Sequence, residues 1–263
     1  MPKVFQRSTP SAVISVTATG LLTCGTLTAP AHATAVRAEV GHWDYRLTGQ
    51  TVNGNALDFR RDLDVETVDH DYQRLNVHFG PGWLPEIGLG RYVLGVEGDR
   101  VVETDLLSFG EITLISGQTQ LDAFADLEDL NLTLRYPVTL GDTLRAHLGV
   151  TVRRVDGPVV VQDPGPAGES EIDDLQELFP QLHVAFDWQP VSALTLIAEA
   201  DWVEYRDDEA WQWRVAADWR LLGGLGVSLG YHLRHFSVRG SDLALDADFK
   251  GAQLGLIYRW ATR

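Results

Sequence analysis

The feature that most constrains this chain is an alternation of apolar and polar residues with period two. It returns in segment after segment, and its polar face carries full charges. In 252–260, Ala252, Leu254, Leu256, Tyr258 and Trp260 share one face, while Gly251, Gln253, Gly255, Ile257 and Arg259 share the other. In 144–155, Leu144, Ala146, Leu148, Val150 and Val152 oppose Arg145, His147, Thr151 and Arg153. Successive side chains of a strand point to opposite sides, so each segment reads as a two-faced strand. Charges of both signs on strand after strand are costly inside a soluble core. The arrangement they favour is inverted, with the apolar face outward in lipid. An open sheet edge cannot be satisfied in hydrocarbon, so the sheet must close into a barrel.

Ten such segments are legible: 38–50, 72–80, 87–98, 130–136, 144–155, 180–188, 194–205, 210–221, 225–238 and 252–260. Most approach the ~9–11 residues that a tilted membrane strand needs. The connections 80–86, 137–143, 189–193 and 222–224 are short. Those at 51–71, 99–126, 157–179 and 239–248 are long and acidic, with 206–209 the exception. Short turns at one end and longer loops at the other are the habit of outer-membrane barrels. The expected fold class is therefore all-β, a closed antiparallel up-and-down transmembrane β-barrel of about ten strands. Eight or twelve remain open, because 99–126 reads either as an upward extension of the third and fourth strands or as a further hairpin. Within 169–177, Ser170 is placed to cap a short loop helix.

Alternation then assigns an inward set: Asp44, Arg46, Arg74, Arg91, Arg135, Arg145, Arg153, Asp187, Glu199, Asp201, Arg214, Asp218, Arg220 and Arg234. On the first strand this puts Trp43, Tyr45 and Leu47 outside. The closing strand turns Leu254, Leu256, Tyr258 and Trp260 to lipid. Arginine dominates the basic set, since only Lys3 and Lys250 are lysines. Its planar fork bridges carboxylates bidentately. Eight strands are just filled by side chains, and ten leave somewhat more room for such bridges. A soluble lipocalin-like barrel would carry the same alternation with its faces reversed. Trp and Tyr near the strand ends favour the membrane arrangement, where they form interfacial girdles.

The N-terminus reads as an export signal. Lys3 and Arg7 precede a charge-free, mostly small and apolar stretch at 11–27, and Ala31-His32-Ala33 is a small-x-small cleavage site. The expected organisation is a cleaved signal peptide at 1–33 and one barrel domain at 34–263, in the bacterial outer membrane. The chain holds 37 acidic and 21 basic residues, a net charge of −16. Removing Lys3 and Arg7 leaves 37 acidic and 19 basic, or −18. Such a balance excludes nucleic acid as a partner, which needs a basic face. Cys24 is the single cysteine and has no internal disulfide partner.

Three stretches carry a resemblance. Asp246-Ala247-Asp248-Phe249-Lys250-Gly251 before an alternating last strand, 148–157 (LGVTVRRVDG) and 129–136 (DLNLTLRY) resemble the corresponding strands of a family of small proteobacterial outer-membrane β-barrel proteins. The resemblance implies a fold and a location but no established activity.

Catalytic signals are sparse. There is no nucleophile elbow, phosphate loop or cysteine nucleophile. The acidic runs at 62–64 and 242–248 lack the spacing of a calcium-binding loop, although divalent cations held there would bridge to lipopolysaccharide. Ser228 and His232 lie on one strand as hydrolase candidates, and the histidines His42, His78, His147, His183 and His232 otherwise read as members of a polar network. The expected function is a structural or interaction barrel with a charge-filled lumen, with no catalytic, metal or cofactor site. The alternatives are a narrow pore for small solutes, a barrel-embedded hydrolase, and a soluble periplasmic binding protein. Expected partners are outer-membrane lipid, lipopolysaccharide and the barrel-assembly machinery, with the barrel a monomer.

Overall fold

Backbone amides that leave water must be paired within the protein, and here a closed ladder pairs them. In a computed structural model, the described residues are 34–53, 55–62, 64–65, 68–80, 84–109, 112–162, 170–205, 208–239 and 244–261. The expected signal peptide at 1–33 lies outside them. The strands are β1 (Ala35–Asn53), β2 (Asn55–Asp58), β3 (Val68–His78), β4 (Glu86–Phe109), β5 (Ile112–Thr139), β6 (Leu144–Gln162), β7 (Ser170–Val191), β8 (Leu194–Tyr205), β9 (Asp208–Leu222), β10 (Leu225–Arg239) and β11 (Ala244–Ala261). β1 pairs antiparallel with β3, each strand from β3 to β10 pairs antiparallel with the next, and β11 returns to β1 from Ala35↔Ala261 to Val52↔Ala244. Strand β2 is a short appendage that folds back on β1 at Gln50↔Asp58. Without it, ten strands form a closed antiparallel barrel.

The long connections are partly strand. β4 and β5 run on as a ladder to Phe109↔Ile112, so 99–126 extends two strands and adds no extra hairpin. β6 and β7 stay paired to Gln162↔Ser170. This corrects the reading of 169–177 as a helix: Ser170 opens a strand instead of capping a helix, because β6 continues to offer its edge. Gly157 makes the continuation feasible at φ +148°, where a Cβ would lie 2.1 Å from the Asp126 carbonyl oxygen.

Outward side chains form an apolar belt. Leu130, Leu132, Leu134, Tyr136 and Val138 on β5, Leu148, Val150 and Val152 on β6, and Leu254 and Leu256 on β11 are all exposed. On β5 the belt covers the ~9–11 residues required of a tilted spanning strand. Tyr136, Trp188, Trp219, Tyr258 and Trp260 edge it at the short-turn end, and Trp202, Trp213 and Tyr231 lie further along. Two aromatic levels flanking an apolar belt are the girdles of a membrane barrel. Soluble monomers rarely expose so large a continuous apolar patch.

Towards the long-loop end the faces exchange polarity while keeping their phase. On β5 the outward residues change from Leu130 to Glu128 and Asp126, and the inward ones from Asp129 to Leu127 and Ala125. On β6 the outward series passes from Val152 to Arg154, the inward one from Arg153 to Val155. β1, β4, β10 and β11 do the same between Val40 and His42, Leu89 and Arg91, Leu233 and His235, and Ala252 and Lys250. Beyond that line the barrel holds an ordinary hydrophobic core, including Trp43, Tyr45, Leu47, Leu94, Phe179, Phe236 and Phe249. Leu57, Phe59 and Val65, from the β1–β3 connection, join it.

That exchange corrects three expected lumen residues. Asp44, Arg46 and Arg91 face outward and are exposed, and their inward neighbours are Trp43, Tyr45 and Tyr92. Above the belt the outer wall meets water and the interior does not, so charge belongs outside. Arg91 accordingly pairs with Glu128 on the outer wall, and His42 Nδ1 lies 3.2 Å from Asp71.

Candidate functional site

Within the belt the lumen is crossed by ion pairs. Glu39 on β1 accepts from Arg214 Nη2 at 2.9 Å and from the Tyr72 hydroxyl at 2.7 Å, and Arg37 lies 2.8 Å from its other oxygen. Arg74 on β3 donates to Glu199 on β8 at 2.6 Å. Arg214 and Arg135 approach the same carboxylate at 3.3 and 3.6 Å. Asp218 receives Arg37 and Arg259, each at 2.7 Å. Round the ring of ten, β3 and β8 stand five places apart, on opposite walls. Strands β5 and β10 do too, and Arg234 on β10 pairs with Asp129 on β5. Side chains thus meet across the lumen from opposite walls at these two pairs.

Neutral groups complete the network. Asp201 accepts from Thr151 Oγ1 at 2.6 Å, has His183 Nδ1 at 2.8 Å and bonds to Gln212. Thr133 and Thr151 join hydroxyls at 2.9 Å. Above, Arg234 stacks 3.9 Å over the Tyr92 ring and 5.1 Å from that of Trp43, the geometry of a cation–π contact. His232 stacks on Trp43 at 4.7 Å and bonds to Gln212 and Gln253. Ser228, buried likewise, lies 3.3 Å from Arg214. The two hydrolase candidates therefore both sit inside the packed network.

Of the expected inward residues, Arg74, Arg135, Arg153, Asp187, Glu199, Asp201, Arg214, Asp218 and Arg234 lie within this interior. Arg145 and Arg220 stand at its short-turn mouth. Leu254, Leu256, Tyr258 and Trp260 face outward. Arg37, Glu39, Glu86 and Asp129, four of the principal charges, lie outside the set that alternation assigns inward. Glu39 shares the parity of Trp43 and Tyr45, so the polarity exchange along β1 is the signal that would have found it.

At the short-turn end the lumen widens into a cavity of about 470 Å3. Its wall includes Glu86, which receives Arg135 Nε at 2.9 Å. His78 and His147 lie 2.7 and 3.2 Å from the two oxygens of that carboxylate. The other nitrogen of His147 is 3.1 Å from Asp187. Its lining reaches Glu199 and Arg135 of the ion-paired interior, and it forms a vestibule at this end of the lumen.

Closed strand order, outward belt and paired interior define the class: a β-barrel with the outer-membrane fold. Among solved structures, the chain is similar to the outer membrane protease OmpT from Escherichia coli, at 9% identity over 88% of this chain and 98% of that one, with a TM-score of 0.55. The β domain of the Bordetella autotransporter BrkA gives 10% identity, 86% and 98% coverage and a TM-score of 0.45. The transport unit of the autotransporter AIDA-I from Escherichia coli gives 13%, 89% and 92%, and 0.43. At these identities the likeness is one of fold. No family model and no curated protein sequence matches the chain.

Proposed function

We propose that this protein is an integral outer-membrane barrel whose lumen is a plug, and that its role is structural or interactive and non-catalytic. The observation that carries the reading is the pairing of opposite walls, Arg74 with Glu199 and Arg234 with Asp129. Bridges of this kind close the lumen at two levels, and the aromatic layer of Trp43, Tyr72 and Tyr92 packs between and above them. The apolar belt and its girdles support a bilayer as surroundings, with lipid and lipopolysaccharide as the nearest partners. The OmpT likeness, being one of fold, brings no protease activity with it, and Ser228 and His232 lack an open cleft between them.

Reconstitution into planar bilayers tests the plug. The expected result is no stable channel, or only a small one, in the unmodified protein. Large, steady conductance that survives Arg74→Ala and Arg135→Ala unchanged would reject the plug and favour a solute pore.

A further inference from the structure

We infer that the short-turn vestibule is a binding site for a small solute bearing oxyanion groups. At about 470 Å3 it has the size of a small-molecule pocket. Its inner carboxylates are already engaged: Glu86 by Arg135 and two histidines, Glu199 by Arg74, Arg135 and Arg214, and Asp187 by His147. Arg37 and Arg259 are engaged as well, both through Asp218. The remaining cations of the wall, Arg145 on β6 and Arg220 on β9, are exposed at the mouth and make no ion pair among the described residues. Arg145 sits directly across the ladder from Asp187, yet that carboxylate turns to His147 instead.

Against these two free guanidinium groups stands one exposed carboxylate without an ion pair, Asp142. The groups at the mouth that no partner engages among the described residues are therefore two guanidinium groups and one carboxylate, in a chain whose net charge is −16. Guanidinium forks match the paired oxygens of carboxylate and phosphate. Thr143, Thr195 and Gln189 on the same wall add uncharged hydrogen-bonding groups. With the lumen plugged beyond the vestibule, as proposed above, such a solute is held and released from one side and does not pass through.

That the mouth faces the periplasm rests on the membrane reading, whereas the binding itself does not. Isothermal titration calorimetry on detergent-solubilised barrel, at constant ionic strength set with sodium chloride, reads it directly. The probes are inorganic phosphate and succinate, which separate phosphate from carboxylate recognition. Saturable binding of at least one probe is expected, weakened tenfold or more in the Arg145→Gln/Arg220→Gln double variant. Arg91→Gln, on the outer wall, should leave the affinity unchanged, and circular dichroism checks that each variant keeps its sheet. Absence of saturable heat with both probes, or equal affinity in the double variant, would overturn the assignment.

Discussion

Asp129 holds two arginines in the interior. Its side chain, like those of Arg153 and Arg234, has no exposed surface. Arg234 pairs with one oxygen, and Arg153 reaches the other at 3.5 Å. Removing one partner of a buried pair leaves an uncompensated charge, which costs ~3–5 kcal/mol. Asp129→Ala is expected to lose that amount in urea unfolding from lipid vesicles, and a loss under ~1 kcal/mol would place water or another carboxylate beside Arg234. Gly41 and Gly255 face each other across β1 and β11. A Cβ on either would lie 2.7 or 2.6 Å from the Tyr72 hydroxyl, the group that donates to Glu39. Gly255→Val should cost ~1–3 kcal/mol through overpacking, read by the same unfolding, whereas Tyr72→Phe at that site should keep the packing and lose only the bond. Single residues of this kind were half legible in the sequence. Arg135, Glu199 and Arg214 follow from parity together with the rule that charge turns inward where the outer face meets lipid. Asp44, Arg46 and Arg91 were misplaced because parity gives the phase of a strand and not which phase is inside.

Strand β6 shows at element scale how that ambiguity resolves. Its lipid-facing run ends at Val152, and its core-facing apolar run begins at Val155. Val150→Arg should therefore destabilise the barrel by ~2–4 kcal/mol if it lies near the midplane, as should Leu132→Arg on β5. Arg154→Gln, two positions further along the same face, should stay within ~0.5 kcal/mol. Val155→Asp should impair folding as in a soluble core, where an unpaired carboxylate is expensive. Thr151→Ser keeps the hydroxyl that bonds to Asp201 and should be tolerated. Folding yields into lipid vesicles check the series, and equal yields for Val150→Arg and Arg154→Gln would refute the assigned faces. The spanning parts of the strands were readable because lipid on one side and charge on the other make the alternation strong. The extensions of β4 to β7 were less so. There the outer face is wet and mixed, as at Arg91, Val93 and Glu97, and the ladder partner keeps the strand extended.

At the scale of the molecule, the barrel works as two stacked interiors within one continuous sheet. The level inside the belt is polar and ion-paired, and the level beyond it is apolar, each the inverse of its surroundings. Closure and the position of the short turns were legible, since each follows from repeated alternation and the lengths between, whereas the strand number stayed open until the β4–β5 ladder placed 99–126. The vestibule was not legible, because it depends on which charges from non-adjacent strands meet across the lumen. The central claim is that the polarity exchange marks the edge of the bilayer. The described barrel contains no cysteine, so single cysteines can be placed along β6 at 148, 150, 152, 154 and 156 and labelled with an environment-sensitive fluorophore. In vesicles of brominated lipid, strong quenching is predicted at 148, 150 and 152 and a sharp fall at 154 and 156. Equal quenching at all five positions, or none at 148 to 152, would contradict the account.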